Sequence, residues 1–140
     1  MPVSTHLLSV AMKGDSLMEN LTGAMQEALK KSAITNGTVT LFVKHTTASV
    51  MIIEDEPGIR ADTQKFWNEI IPPKKDWEHN TRNAGEDNGH SHLRGQLQGP
   101  SLTVPVVQGA LTLGTWQQIV LIDFDTRART RDLVIQIIGE

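Results

Sequence analysis

Cysteine is absent from this chain of 140 residues, which excludes disulfides, thiol redox chemistry and thiolate metal sites together. A cysteine-free composition also suits a reducing cytoplasm. Long apolar runs are missing as well. Met1 to Ser16 holds no apolar run of signal-peptide length, and no stretch approaches a membrane span. The expectation is a cytoplasmic protein with no membrane partner. Positive charge is not in excess: 13 Lys and Arg stand against 16 Asp and Glu, a formal net charge of −3. That balance argues against nucleic acid as a partner, yet allows a local basic patch for a small phosphorylated molecule. Linkers, repeats and low-complexity tracts are absent, as are a P-loop, a nucleophile elbow and a dinucleotide fingerprint. With 39% hydrophobic and 21% charged residues, the expectation is one globular domain over residues 1–140. A chain of that length buries about two-thirds of its unfolded surface.

Histidine is what the chain concentrates. Four of its 5 histidines fall in two neighbourhoods. One is Lys44-His45-Thr46-Thr47-Ala48-Ser49; the other is the stretch carrying His79, His90 and His92. Imidazole is the commonest protein metal ligand and titrates near physiological pH. In an extended strand, side chains two apart share a face, so His90 and His92 are expected to address one point. Each histidine alone also reads as a solvated loop residue.

Hydrophobic spacing predicts an alternating first strand over Thr5 to Met12, ended by Lys13-Gly14-Asp15. Asp15 or Ser16 is expected to cap a helix through Met18, Leu21, Met25, Ala28 and Leu29, which recur at helical spacing. Thr38 to Lys44 is strand-like by β-branched content, and Ala48 to Glu54 reads as its partner. Pro57-Gly58 opens a second helix, with Ile59, Phe66, Trp67 and Ile70 as candidate buried positions and Pro72-Pro73 as its stop. Lys74 to Gly89 is a polar loop of a length usually kept for function. Beyond it, His92–Leu97, Ser101–Val107, Ala110–Leu113, Trp116–Asp125 and Asp132–Ile138 read as short strands. Two helices beside many strands predict an α+β domain built on an antiparallel sheet or sandwich.

Several segments together resemble the YjbQ family, the secondary thiamine-phosphate synthases. His45-Thr46-Thr47-Ala48-Ser49 followed by Glu54 is similar to its opening signature, and Trp77-x-His79-Asn80 to its aromatic-x-His-Asn segment. Asp87-Asn88-Gly89-His90-Ser91-His92-Leu93 matches its Asp-Asn-x-x-x-His block. Pro105-Val106-Val107-Gln108-Gly109 and Leu113-Gly114-Thr115-Trp116-Gln117 match its most distinctive stretch. The resemblance covers nearly the whole chain in order. It implies an α+β fold with a β-sandwich-like core of antiparallel or mixed sheet, a homotrimer, and a pocket around His45, His79 and His92. His90 is a lower-ranked candidate, because the family varies there. Two departures stand out. Amides that flank Glu54 in the family are replaced by Ile53 and Asp55, and the family's Asp-Gly-Pro-Arg-x-Arg becomes Asp125 to Arg131.

The activity implied by the resemblance couples hydroxymethylpyrimidine diphosphate to thiazole phosphate and releases pyrophosphate. Such a reaction needs the leaving diphosphate neutralised and the thiazole nitrogen held in line. Arg129 and Arg131 suit the leaving group, since guanidinium binds phosphate oxygens bidentately. Glu54, Asp87 and Asn88 complete the expected catalytic set; Glu54 or Asp87 could hold Mg²⁺ arriving with the diphosphate, while Asn88 could orient a histidine. Thr46 and Ser49 are expected to meet substrate. Trp116 reads as a core residue by its strand position and as a ring-stacking residue by its motif. Three imidazoles at His45, His79 and His92 favour zinc or another transition metal over Mg²⁺. Two other readings stay open: a metal-dependent hydrolase of a small phosphorylated substrate, and a non-catalytic protein that binds a metal or small ligand.

Overall fold

The structure, a computed structural model, describes residues Met1 to Glu140. Its strands are β1 (Val3–Met12), β2 (Leu17–Asn20), β3 (Gly37–Val43), β4 (Ala48–Ile53), β5 (Ser101–Val107), β6 (Ala110–Leu111), β7 (Gln118–Asp123) and β8 (Arg129–Gly139). Four helices intervene: α1 (Thr22–Ser32), α2 (Pro57–Ile70), α3 (Glu78–Arg82) and α4 (Gly89–Gln98). The strands form two antiparallel sheets, a larger one in the order β1-β8-β3-β5-β6 and a smaller one in the order β2-β7-β4. The fold is α+β, with two sheets and four helices.

Alternation decides how the layers stack. Leu133, Ile135 and Ile137 of β8 point inward beside Val39, Leu41 and Val43 of β3. Ala48 and Val50 of β4, with Ile119 and Leu121 of β7, face them from the smaller sheet, and Met25 and Leu29 of α1 close the same core. β7 is buried on both faces, which its continuous apolar run Ile119-Val120-Leu121-Ile122 reflects. The second face, Val120 and Ile122, packs with Met18, Trp67 of α2 and Phe124. Trp67 and Phe124 meet edge to face, with ring centroids 4.9 Å apart. No helix is long and apolar enough to cross a membrane.

Several sequence-based expectations are corrected here. The helix expected from Asp15 or Ser16 begins only at Thr22; Leu17–Asn20 instead pairs with β7. Gly14, Asp15 and Ser16 all take positive φ, 87°, 53° and 60°, and that left-handed turn folds β2 back onto β7. Met18 therefore leaves the helical stripe and joins the second core. Ala48–Ile53 is a strand, but its neighbour is β7 rather than β3. On α2 only a narrow stripe is covered, so Phe66 and Ile70 are exposed while Trp67 is buried and Ile59 half-buried. The polar loop contains α3. The largest correction is His92–Leu97, which lies in α4 rather than in a strand. That segment has no β-branched residue, and Leu, Arg and Gln favour helix. The helix count is accordingly four, not two.

Candidate functional site

One end of the smaller sheet gathers the chemistry-bearing side chains. The connection from β3 to β4 crosses between the sheets and supplies His45, Thr46 and Thr47. The turn from β7 to β8 supplies Asp125 and the start of β8 supplies Arg129 and Arg131, while α3 supplies His79 and the start of α4 supplies Asn88 and His92. With Glu86, these residues line a cavity of about 330 Å³. Two further cavities meet it at His92. One, about 270 Å³, lies toward Gln96 and Pro100; the other, about 600 Å³, runs along Trp77, Leu93 and Lys74. The Lys74 ammonium sits 3.9 Å from the Trp77 ring centroid.

The floor is an ion network whose acidic members, Asp123 and Asp125, the sequence did not single out. Arg131 is 1% exposed. Its Nε and Nη2 donate to the two carboxylate oxygens of Asp123 at 2.6 and 2.7 Å, and Nη2 also reaches Thr47 Oγ1 at 2.8 Å. Thr47 Oγ1 donates in turn to Asp125 Oδ2 at 3.0 Å. Arg129 donates through Nε to the same oxygen at 2.7 Å; no hydrogen bond within the chain engages its Nη groups. Burial alone would raise the Asp125 carboxyl. The Thr126 amide, Asn88, Thr47 and the Arg129 charge more than offset that and hold it below its ordinary 3.8. Arg131 is thus buried architecture, whereas Arg129, with 43% of its side chain exposed, keeps a free guanidinium edge.

The ionised Asp125 sets the polarity of the hydrogen bonds that run outward from it. A carboxylate only accepts hydrogen bonds, so Asn88 must present Nδ2 to Asp125 Oδ1, at 3.1 Å. Asn88 Oδ1 then faces His79 Nε2 at 3.0 Å, and His79 must donate from that nitrogen. The expected orienting role of Asn88 therefore has a geometric basis. The His79 and His92 rings lie 4.5 Å apart, centroid to centroid. The His92 ring makes no hydrogen bond within the chain; burial first, then His79, pushes its pKa below the usual 6.5. His45 accepts the Asp132 amide at Nε2, 2.9 Å, which leaves its proton on Nδ1. Burial, then Arg131, keeps this ring neutral by lowering its pKa.

The expected three-imidazole ion site does not fit this arrangement. His45 Nε2 has already spent its lone pair on a backbone amide and its Nδ1 carries the proton, so only His79, through Nδ1, and His92 keep a lone pair for an ion. No group of three His, Asp or Glu side chains is positioned to hold a metal ion. His45, His79 and His92 do share one cavity, together with Thr46, Asn88, Arg129 and Arg131.

Other expected residues lie elsewhere. Because α4 is helical, His90 and His92 sit about 200° apart around its axis and address different cavities. Asp87 is exposed, accepts from Thr126 Oγ1 at 2.8 Å, and lines the cavity on the His90 side. Ser49 is fully buried with its hydroxyl toward the Gly95 carbonyl at 3.5 Å. Glu54 is exposed at the opposite end of β4, about 20 Å from Ala48 at roughly 3.3 Å per residue. Trp116 is 71% exposed, so it is no core residue. It precedes Gln118, which pairs with Ile53, and so stands at the same distant end as Glu54. The residues missed were Asp123, Asp125, Thr47 and Glu86. Two acids closing an apolar strand, followed by arginines four to eight residues on, were the available signal.

This is a two-sheet α+β protein with a histidine–arginine pocket at one sheet end. The chain belongs to the YjbQ family, matching the model for "UPF0047 protein YjbQ-like" over residues 6–140. A UPF0047 protein of Synechocystis sp. is 32% identical over 137 residues, 96% of this chain and 91% of its own. The UPF0047 protein YjbQ of Salmonella typhimurium is 33% identical over 140 residues, 99% of this chain and 91% of its own. Among solved structures, a YbjQ-like protein of unknown function from Sulfolobus solfataricus P2 superposes with a TM-score of 0.88 at 29% identity, covering 99% of this chain and 100% of that one. A hypothetical protein from Aeropyrum pernix K1 gives 0.85 at 34% identity, covering 96% and 99%.

The electrostatics predict a two-stage loss of stability in acid. Lowered histidine pKa values at His45, His90 and His92 mean that the unfolded chain binds protons more readily below the ordinary 6.5. Stability should therefore fall as pH drops through that value. The Asp125 contribution is intact above 3.8 and is lost as pH falls below it. Urea midpoints measured from about pH 8 to pH 3 should decline in that order. A midpoint that rises between pH 7 and pH 5 would contradict the assignment.

Proposed function

We propose that this pocket binds phosphate-bearing substrates and joins hydroxymethylpyrimidine diphosphate to thiazole phosphate, releasing pyrophosphate. The observation that carries the reading is the posture of Arg129. Its Nε is fixed on Asp125 while both Nη groups remain unbonded at the cavity, beside the neutral His45 and His92. A guanidinium so held is oriented before substrate arrives, and pre-orientation is what stabilises developing charge on a leaving group. The thiazole nitrogen contributes the electron pair for the new C–N bond. The C–O bond to diphosphate breaks, and its pair leaves on the pyrophosphate. Trp77, with Lys74 over its ring, lines the groove that meets the pocket at His92 and offers apolar surface to the thiazole, while the His92 ring is free to hydrogen-bond it. No step runs through an ion on three imidazoles, given the commitment of His45 Nε2. Mg²⁺ carried in with the diphosphate, which prefers oxygen ligands, is the divalent ion compatible with this arrangement. We place the reaction in the cytoplasm, in keeping with the cysteine-free sequence.

We also infer a homotrimer. The outer face of the larger sheet supports it: Leu7, Val134 and Phe42 form one cross-strand row, with Leu7 80% and Phe42 43% exposed. A neighbouring subunit would cover that row and the β1 edge.

Purified protein supplied with both precursors and Mg²⁺ should form thiamine phosphate. Arg129→Ala should weaken diphosphate capture and leaving-group stabilisation, by roughly 1.5–3 kcal/mol for one lost charged hydrogen bond. His92→Ala should lower turnover even at saturating diphosphate. An inactive parent protein would instead favour a non-catalytic binding role, and metal-dependent phosphate release from either precursor alone would favour hydrolysis. Light scattering should give three times the chain mass. A monomer at all concentrations would overturn the trimer.

A further inference from the structure

A fourth cavity, about 510 Å³, opens on the His90 face of α4, away from the pocket of His45, His79 and His92. Its volume falls in the range of small-molecule sites. The floor is formed by Ser16, His90, Arg94 and Phe124, exposed by 2%, 6%, 3% and 1%. Nothing in the proposed reaction uses them.

Two of these residues are electrostatically incomplete. Arg94 donates from Nε and Nη2 to the Ile71 carbonyl, from Nη2 to Asn68 Oδ1, and from Nη1 to Ser16 Oγ. Every hydrogen-bond partner is a neutral oxygen and one Nη1 hydrogen remains; the Asp15 carboxylate acts on the guanidinium only through space, without a hydrogen bond or ion pair to it. A guanidinium buried this deeply is normally matched by a negative charge, because desolvation without a counter-ion is costly. Arg131 illustrates the usual solution with Asp123. His90 carries the second deficit: its Nδ1 is the sole buried side-chain nitrogen or oxygen without a hydrogen-bond partner. Buried polar groups overwhelmingly have one.

The rim tells which part of a ligand would enter. Lys75 adds a cation at the mouth, whereas Asp87 is already engaged by Thr126 and lies 3.8 Å from Arg127. Asp15 is the remaining rim carboxylate. It disfavours a ligand that is negative throughout but not one with a single anionic end directed inward. Asp15 and Ser16 are both held at positive φ, a backbone arrangement that costs energy and tends to collect at ligand sites.

We propose that this cavity is a second ligand site, taking the oxyanion end of a small molecule onto Arg94 and His90, with Lys75 at its entrance. The shared chemistry is that of a phosphate or carboxylate group. The site is independent of the thiamine-phosphate reading and stands or falls separately.

The test is histidine-selective NMR on the whole protein, titrated with inorganic phosphate and, in a second arm, with acetate, at constant ionic strength. The His90 ring resonances should move along a saturable curve while those of His92 move less. Saturation by phosphate alone identifies a phosphate end, and saturation by acetate alone a carboxylate end. His90→Phe should weaken the binding at least tenfold. Lys75→Ala, a rim change that leaves the buried floor alone, should weaken it severalfold and covers the case in which the first variant does not fold. Shifts confined to His45, His79 and His92 would place the anion in the other pocket and overturn the proposal. A linear, unsaturated response to both anions would also overturn it.

Discussion

Arg131 occupies an inward-facing position on β8, where its neighbours in parity, Leu133, Ile135 and Ile137, are core residues. A charge at such a position must be matched inside the protein, since an unpaired buried ion is far costlier than an apolar side chain. The match comes from the smaller sheet: Asp123 closes β7 and receives the guanidinium through both oxygens. One ion pair therefore ties the two sheets together at one end of the sandwich. Asp125 joins the pair two residues on, its amide held by Asp123 Oδ1 at 2.9 Å.

The pocket is built outward from that tie. Asp125 fixes Arg129 on one side and Asn88 on the other, and Asn88 fixes His79. Each link removes a choice of orientation or tautomer, so the pocket's polar groups are set by the sandwich rather than by flexible loops. The start of α4 is held from several directions. Asn80 Oδ1 accepts the Gly89 amide, and Gly89 packs so closely on Trp77 that an added Cβ would lie 2.8 Å from the Trp77 Cβ. A bulkier residue there would displace α3 from α4, and His79 from His92 with it.

Much of the fold was legible because its physical signals were strong. Alternation in β1, β3, β5 and β8, and the proline-bounded α2, mark those elements directly. Trp67 was legible as a buried position, whereas Phe66 was not separable from it by spacing alone. The failures have local causes. Met18 and Leu21 continue the helical period of α1 by coincidence, and only the left-handed turn at Gly14 to Ser16 reveals that the chain doubles back first. His90 and His92 suggest a shared face only if the backbone is extended, and it is helical. For the site, the family motifs brought together His45, His79 and His92, along with Asn88 and both arginines. They also nominated Glu54 and Trp116, which end at the far side of the smaller sheet. Asp123 and Asp125 escaped notice because they close the strand read over Trp116–Asp125, and their partner Arg131 lies six to eight residues later, across a sheet boundary.

The carboxylate network dictates the tautomer of His79, and the Asp132 amide that of His45. Long-range proton–nitrogen couplings of the imidazole rings, recorded by NMR at a pH where the histidines are neutral, report that pattern directly. The expected result is the proton of His45 on Nδ1 and that of His79 on Nε2. In Asp125→Asn the preference of His79 should weaken while that of His45, set by the Asp132 amide, persists. Finding His79 protonated on Nδ1 in the unaltered protein, or its preference unchanged in Asp125→Asn, would contradict a pattern imposed by the network.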